Sequence, residues 1–212
     1  MKLYLDSADV TALTPLIRTG LFAGVTTNPL ILRRAGLSQQ DVGELVGSLT
    51  ALGAAQVFVQ TTGASVDRLV EEAREITSLG EHVVAKIPAT RAGFAATRTL
   101  AGSGVPVLIT AVYHARQALL ARAAGAWGIA PYVGRMTDAG RGGLAQVAMM
   151  QRILHGSPTR VLAASIRSAD VVCELAELDV HSVTISTAVA DELFEDELTA
   201  RAVEEFAAAS RG

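Results

Sequence analysis

The chain has a single cysteine, Cys173. No intrachain disulfide can form, no cysteine-built zinc or iron–sulfur site is possible within one chain, and a reducing compartment fits. Long apolar runs are also missing: no segment reaches the roughly eighteen residues a membrane helix needs. The start, Met1-Lys2-Leu3-Tyr4-Leu5-Asp6, meets a carboxylate before any leader-like apolar stretch develops. A soluble, cytoplasmic protein with no membrane partner is expected. Neither sign of charge dominates, since 18 Lys plus Arg stand against 21 Asp plus Glu for a formal net charge of −3. The longest basic run is the pair Arg33 and Arg34, too little for a nucleic-acid or anionic-lipid surface.

Familiar chemical signatures are scarce too. His82, His114, His155 and His181 show no metal-ligand spacing. No Gly-x-Ser-x-Gly elbow and no Gly-x-Gly-x-x-Gly fingerprint occurs, and Gly140-Arg141-Gly142-Gly143 lacks the Lys-Ser/Thr ending of a phosphate loop. That stretch reads as loop and helix entry. No metal and no other cofactor is expected, and small-molecule chemistry becomes the leading class.

What the sequence does contain is apolar mass, with half its residues hydrophobic. At about 150 residues per domain, one domain over residues 1–212 is the expectation. Short β-type runs alternate with helical periodicity along the whole length. The strand candidates are Leu3 to Asp6, Gly24 to Asn28, Gln56 to Gln60, His82 to Ile87, Val107 to Val112, Trp127 to Tyr132, Val161 to Ile166 and Ser182 to Thr187. Helical stretches such as Ala8 to Arg18, Val66 to Leu79 and Arg116 to Ala124 follow them. Gly80, Gly102, Gly104, Gly125 and Gly156 fall where left-handed C-caps favour glycine. Eight such units predict an α/β protein, a (β/α)8 TIM barrel, with a doubly wound sheet as the alternative. A further helix from about residue 197, with Leu198, Ala202 and Phe206 at steps of four, has no strand to cover and needs another surface.

Alternate strand residues share a face, so Asp6 goes with Tyr4, Asn28 with Thr26, Gln60 with Phe58, Lys86 with Val84, Thr110 with Leu108 and Tyr132 with Ala130. Six strands thereby aim a polar side chain inward at their C-terminal ends, where this fold builds active sites. Lys86, in Val83-Val84-Ala85-Lys86-Ile87-Pro88, is an amine in an apolar strand. Desolvation disfavours its charged form, and a neutral amine can attack a carbonyl to form an imine. The plainer alternative is a core lysine paired with Asp6 or reaching for the barrel mouth. Asp6 is a base or a counter-ion. Tyr132, Gln60 and Thr110 could together hold a water for proton transfer, provided they converge. Ser165, Arg167 and Arg135 suit a substrate phosphate, with surface arginines as the alternative.

Five segments taken together resemble the short subfamily of the transaldolase family of class I aldolases. They are Leu3-Tyr4-Leu5-Asp6-Ser7, Ala23-Gly24-Val25-Thr26-Thr27-Asn28-Pro29, Val84-Ala85-Lys86-Ile87-Pro88, Ala130-Pro131-Tyr132-Val133-Gly134-Arg135 and Ala163-Ala164-Ser165-Ile166-Arg167. The resemblance implies a (β/α)8 barrel with its Schiff-base lysine on strand four, here Lys86, and with Asp6 and Asn28 on substrate hydroxyls. Transaldolases carry Glu and Phe where this chain has Gln60 and Tyr132, a pair similar to the fructose-6-phosphate aldolase branch. Ser165-Ile166-Arg167 and Gly134-Arg135 look more like short transaldolases. The implied activity is a cofactor-free aldolase joining or splitting a dihydroxyacetone-type donor and an aldehyde such as glyceraldehyde 3-phosphate. A transaldolase is the alternative, and a non-catalytic sugar-phosphate-binding or partner-binding barrel stands behind both. Substrate contacts would come from Thr26, Asn28, Ser165, Arg135 and Arg167. The resemblance also implies carbohydrate metabolism in the pentose phosphate pathway and a homo-oligomer, pentamers pairing to a decamer.

Overall fold

A computed structural model describes residues 1–211. Eight parallel strands close into a barrel in sequence order: β1 (Lys2–Asp6), β2 (Phe22–Thr26), β3 (Gln56–Gln60), β4 (Val83–Pro88), β5 (Val107–Val112), β6 (Gly128–Pro131), β7 (Arg160–Ala163) and β8 (Ser182–Ile185). β1 pairs with both β2 and β8, which makes the ring continuous. Around it lie α1 (Val10–Arg18), α2 (Pro29–Arg34), α3 (Val42–Ala51), α4 (Val66–Thr77), α5 (Arg91–Ala101) and α6 (Arg116–Ala124). They are followed by α7 (Val133–Asp138), α8 (Gly143–Leu154), α9 (Ala169–Glu177), α10 (Thr187–Glu192) and α11 (Glu197–Ala209). The (β/α)8 expectation holds and the doubly wound sheet does not. Among the described residues no helix is long and apolar enough to cross a membrane.

Strand alternation divides the interior into two cores. Leu5, Val57, Ala85, Ile109 and Ile129 face the helices in one cluster. Tyr4, Phe58, Val84, Leu108, Ala130 and Leu162 fill the barrel axis in the other. Edge-to-face packing of Tyr4 on Phe58, with centroids 5.4 Å apart, and contact of Phe58 with Trp127 at 5.4 Å plug the barrel. The Tyr4 hydroxyl donates to Gln56 Oε1 at 2.8 Å, so the buried phenol has its partner. With the axis filled, space for a ligand is left at the C-terminal ends of the strands. The register of β1 on β2 shifts between Leu3 and Tyr4. There a Cβ on Gly24 would sit 1.8 Å from the Gln56 carbonyl oxygen, so only glycine lets β2 approach β3 this closely.

Several boundaries differ from the sequence expectation, and the first bears on the site. β2 ends at Thr26, and Asn28 is the N-cap of α2, not a strand residue. Its Oδ1 accepts from the backbone N–H groups of Leu30 and Ile31 at 3.0 and 3.1 Å, with Pro29 following as the first helical residue. Its extended dihedrals (φ −158°, ψ 168°) are those of a strand, which is why the pattern ran on. Two helices, not one, separate β2 from β3 and β6 from β7. Of the glycines read as left-handed caps, Gly104, Gly125 and Gly156 have φ near +70°, whereas Gly102 caps α5 at −62° and Gly80 has no positive φ. The terminal helix α11 has no buried residue; Leu198 is 72%, Val203 59% and Phe206 70% exposed.

Candidate active site at the C-terminal ends of the strands

A cavity of about 450 Å³ opens above the plugged axis, and Lys86, Asp6, Asn28, Tyr132, Ser165 and Arg135 are among the residues lining it. Lys86 projects from β4 and is only 4% exposed. Its Nζ donates to the Thr27 carbonyl at 2.7 Å, and among the described residues it makes no salt bridge. The expected alternative of a Lys86–Asp6 ion pair is therefore corrected: the amine rests on a backbone oxygen. Burial pushes its pKa down from the ordinary lysine value, and the charge of Asp6 pulls the other way without forming a contact.

Asp6, at the end of β1, accepts from Thr26 Oγ1 at 2.5 Å. Thr26 in turn lies 2.7 Å from Thr184 Oγ1, so Thr184 supplies the next proton in the chain. Thr26 is fully buried and reaches the carboxylate rather than the lined surface of the cavity. One device recurs at two strand ends. Thr27 bonds the Phe58 carbonyl through both its N–H and its hydroxyl, and Thr61 does the same to the Lys86 carbonyl, at 2.9 and 3.1 Å. Each threonine ties the end of one strand to its neighbour, and the second fixes the backbone that carries the amine.

Across the cavity Tyr132 precedes α7. Its hydroxyl lies 3.1 Å from Thr110 Oγ1, and burial holds its pKa above the ordinary phenol value, so it remains a neutral hydroxyl at neutral pH. Of the three residues expected to converge, Thr110 and Tyr132 do. Gln60 lines an adjoining cavity of about 280 Å³ with Tyr132, Ala111 and Tyr113, and its side chain bonds to neither partner. Ala111, within β5, has φ +55° where β5 loses register with β6, a strained irregularity of the strand that sits against this second cavity.

A cationic wall of the cavity comes from the segments after β6 and β7. Ser165 has φ +59°, and its carbonyl accepts from the Gly134 N–H at 2.9 Å. A Cβ on Gly134 would lie 2.4 Å from that oxygen and 2.7 Å from Arg167 Nε, so glycine is required for the contact. Arg135 lies over the Tyr132 ring, 4.9 Å from its centroid, and donates to the Tyr113 hydroxyl at 3.3 Å. Arg167 lines the cavity while bonded to Asp138 in an exposed ion pair. Sequence reasoning missed three residues here. Arg34 and Ser186 line the cavity, and Tyr113 holds Arg135. Arg34 sits on a helix, beyond the reach of strand parity, whereas Ser186, a helix cap, shares the parity of the inward Thr184 and was legible in the candidate strand Ser182 to Thr187. Among the described residues no group of three His, Cys, Asp or Glu is placed to hold a metal.

The profile of the Transaldolase/Fructose-6-phosphate aldolase family matches residues 3–211. A "Probable transaldolase" of Methanococcus maripaludis is 35% identical over 210 residues, covering 98% of this chain and 96% of the relative. One from Rhodospirillum centenum is 36% identical, covering 98% and 90%. One from Streptococcus agalactiae is 36% identical, covering 97% and 95%. Among solved structures, a mandelate oxidase mutant with a monooxide FMN adduct superposes with a TM-score of 0.60 at 18% identity. That match covers 84% of this chain and 59% of the oxidase, and it is a likeness of barrel fold alone.

Proposed function

This chain belongs to the transaldolase/fructose-6-phosphate aldolase family, an enzyme of the aldolase/transaldolase type, and from that premise we propose that it works through a Schiff base on Lys86. The observation that carries the reading is the amine itself: buried, free of any salt bridge among the described residues, lowered in pKa and facing a cavity large enough for a sugar phosphate. In the cleavage direction the neutral amine adds to the C2 ketone carbon of a ketose phosphate such as fructose 6-phosphate, one proton is taken up and water leaves, giving an iminium. Asp6 accepts the proton of the C4 hydroxyl, the C3–C4 bond breaks, and its electron pair passes to the iminium as an enamine. The aldehyde departs. Asn28 and Ser165 hold donor hydroxyls, while Arg135 and Arg167 hold the phosphate of the aldehyde.

What happens to the enamine decides the reaction. An aldolase protonates it at C3 and hydrolyses the imine to free the ketone. A transaldolase keeps it until a second aldose phosphate accepts the carbon–carbon bond. We favour the aldolase because Tyr132 offers a hydroxyl, paired with Thr110 at 3.1 Å, that can polarise a water at the enamine. Gln60 would act from the adjoining cavity, beside Tyr132.

Two measurements test this. Borohydride with dihydroxyacetone should trap one adduct per chain at Lys86 by intact mass, and Lys86→Ala should lose both trapping and turnover. Fructose 6-phosphate alone should yield free dihydroxyacetone and glyceraldehyde 3-phosphate. Turnover by Lys86→Ala would end the Schiff-base reading. Transfer to erythrose 4-phosphate with no free dihydroxyacetone would replace the aldolase with the transaldolase.

A further inference from the structure

The last residue of α2, Arg34, lines the same cavity as Lys86 and has no part in the chemistry above. In an eight-stave ring closed in sequence order, β2 and β6 stand four staves apart, on opposite sides. Arg34 follows β2, whereas Arg135 follows β6 and Arg167 follows β7. A helical side chain leans toward the N-terminus of its own helix, and the N-cap of α2 is Asn28, which lines the cavity too. The stem of Arg34 is thereby carried back to the mouth. Arg33, about 100° round the same helix, does not line the cavity.

The charges are unbalanced. Three guanidiniums and Lys86 line a space whose only carboxylate among the described residues is Asp6. Arg167 is bonded to Asp138 and Arg135 to the Tyr113 hydroxyl. Among the described residues the Arg34 side chain has neither a salt bridge nor a hydrogen bond. A free five-donor fork in a cationic, concave mouth attracts a multiply charged anion and suits a tetrahedral phosphoryl group.

We propose that Arg34 is a specificity-determining residue, contacting the substrate phosphoryl group from the wall opposite Arg135. The cavity would then grip the phosphate across its diameter and favour phosphorylated aldehydes over the same aldehydes without phosphate. This rests on reading the cavity as the substrate site.

The test uses Arg34→Gln, with Arg33→Gln as the control for loss of one nearby charge. In the synthesis direction with dihydroxyacetone, Arg34→Gln should lose about tenfold in kcat/KM for glyceraldehyde 3-phosphate, mostly through KM, the scale of a lost charge-assisted contact. Its kcat/KM for glyceraldehyde should not change. Calorimetric titration of the resting protein with inorganic phosphate should show Kd weakened about tenfold by Arg34→Gln and unmoved by Arg33→Gln. Equal losses on both aldehydes, or a phosphate Kd that Arg34→Gln leaves alone, would overturn the proposal. Borohydride trapping of dihydroxyacetone separates the two readings. If the wild type forms no adduct, the Schiff-base assignment fails by itself, and the phosphate titration still decides for or against Arg34.

Discussion

At the scale of single residues, Lys86 links function to stability. Its pKa is depressed in the folded chain, so between that value and the ordinary 10.5 the unfolded chain binds more protons, and stability rises with pH across the window. Burying the amine thus costs stability at neutral pH. Lys86→Met should raise the stability at pH 7 by about 1–2 kcal/mol, the scale seen when buried charges give way to apolar groups. Chemical denaturation at a series of pH values should show that advantage shrinking toward pH 10; an advantage independent of pH would mean the lysine is not desolvated. Tyr132 sets the other limit. Because burial holds its pKa above the ordinary phenol value, the rate of donor release should keep its plateau to pH 10. Tyr132→Phe should slow free-dihydroxyacetone release at least tenfold, consistent with a lost general acid, while sparing transfer to an aldose phosphate.

Among the secondary-structure elements, the β2–α2 junction shows how one residue serves two ends. Asn28 spends its carbonyl oxygen on the cap of α2 and leaves its amide NH₂ for the cavity. Asn28→Asp keeps an acceptor for the cap and loses the donor, so thermal stability should stay near wild type while KM for the donor rises severalfold. Asn28→Ala should also lose about 1 kcal/mol of stability through the missing cap. A loss of stability in Asn28→Asp as large as in Asn28→Ala would place the whole role in the helix. This junction also marks what the sequence made legible. The inward set, including Lys86 and Thr110, could be read because the period of a strand is two and the barrel core obeys it, as Tyr4, Phe58, Val84 and Leu108 show. Asn28 broke the rule because a capping residue keeps extended dihedrals. Arg34 left no signal, since its place at the mouth depends on the short length of α2, which strand parity does not encode.

For the molecule as a whole, α11 stands out because none of its residues is buried. Leu198, Val203 and Phe206 are more than half exposed, and Phe194 beside it is 54% exposed over a groove lined by Ala12, Pro15 and Leu16. An apolar stripe of this kind calls for cover, and we propose that other copies of the chain provide it in a ring-shaped homo-oligomer. Light scattering should give a multimer, and deletion of the residues after Glu195 should reduce its mass. A monomer in both cases would remove the proposal. The closure of the barrel has a different consequence, one in time. A ribosome delivers β1 before the other seven strands of the ring, yet one of its two neighbours is β8, which ends at Ile185. Until that residue clears the exit tunnel, every nascent chain carries two open sheet edges, each able to pair with another chain. Chains truncated inside α9 should therefore be aggregation-prone once released, whereas chains truncated within α11, which contain the whole of β8, should close the ring.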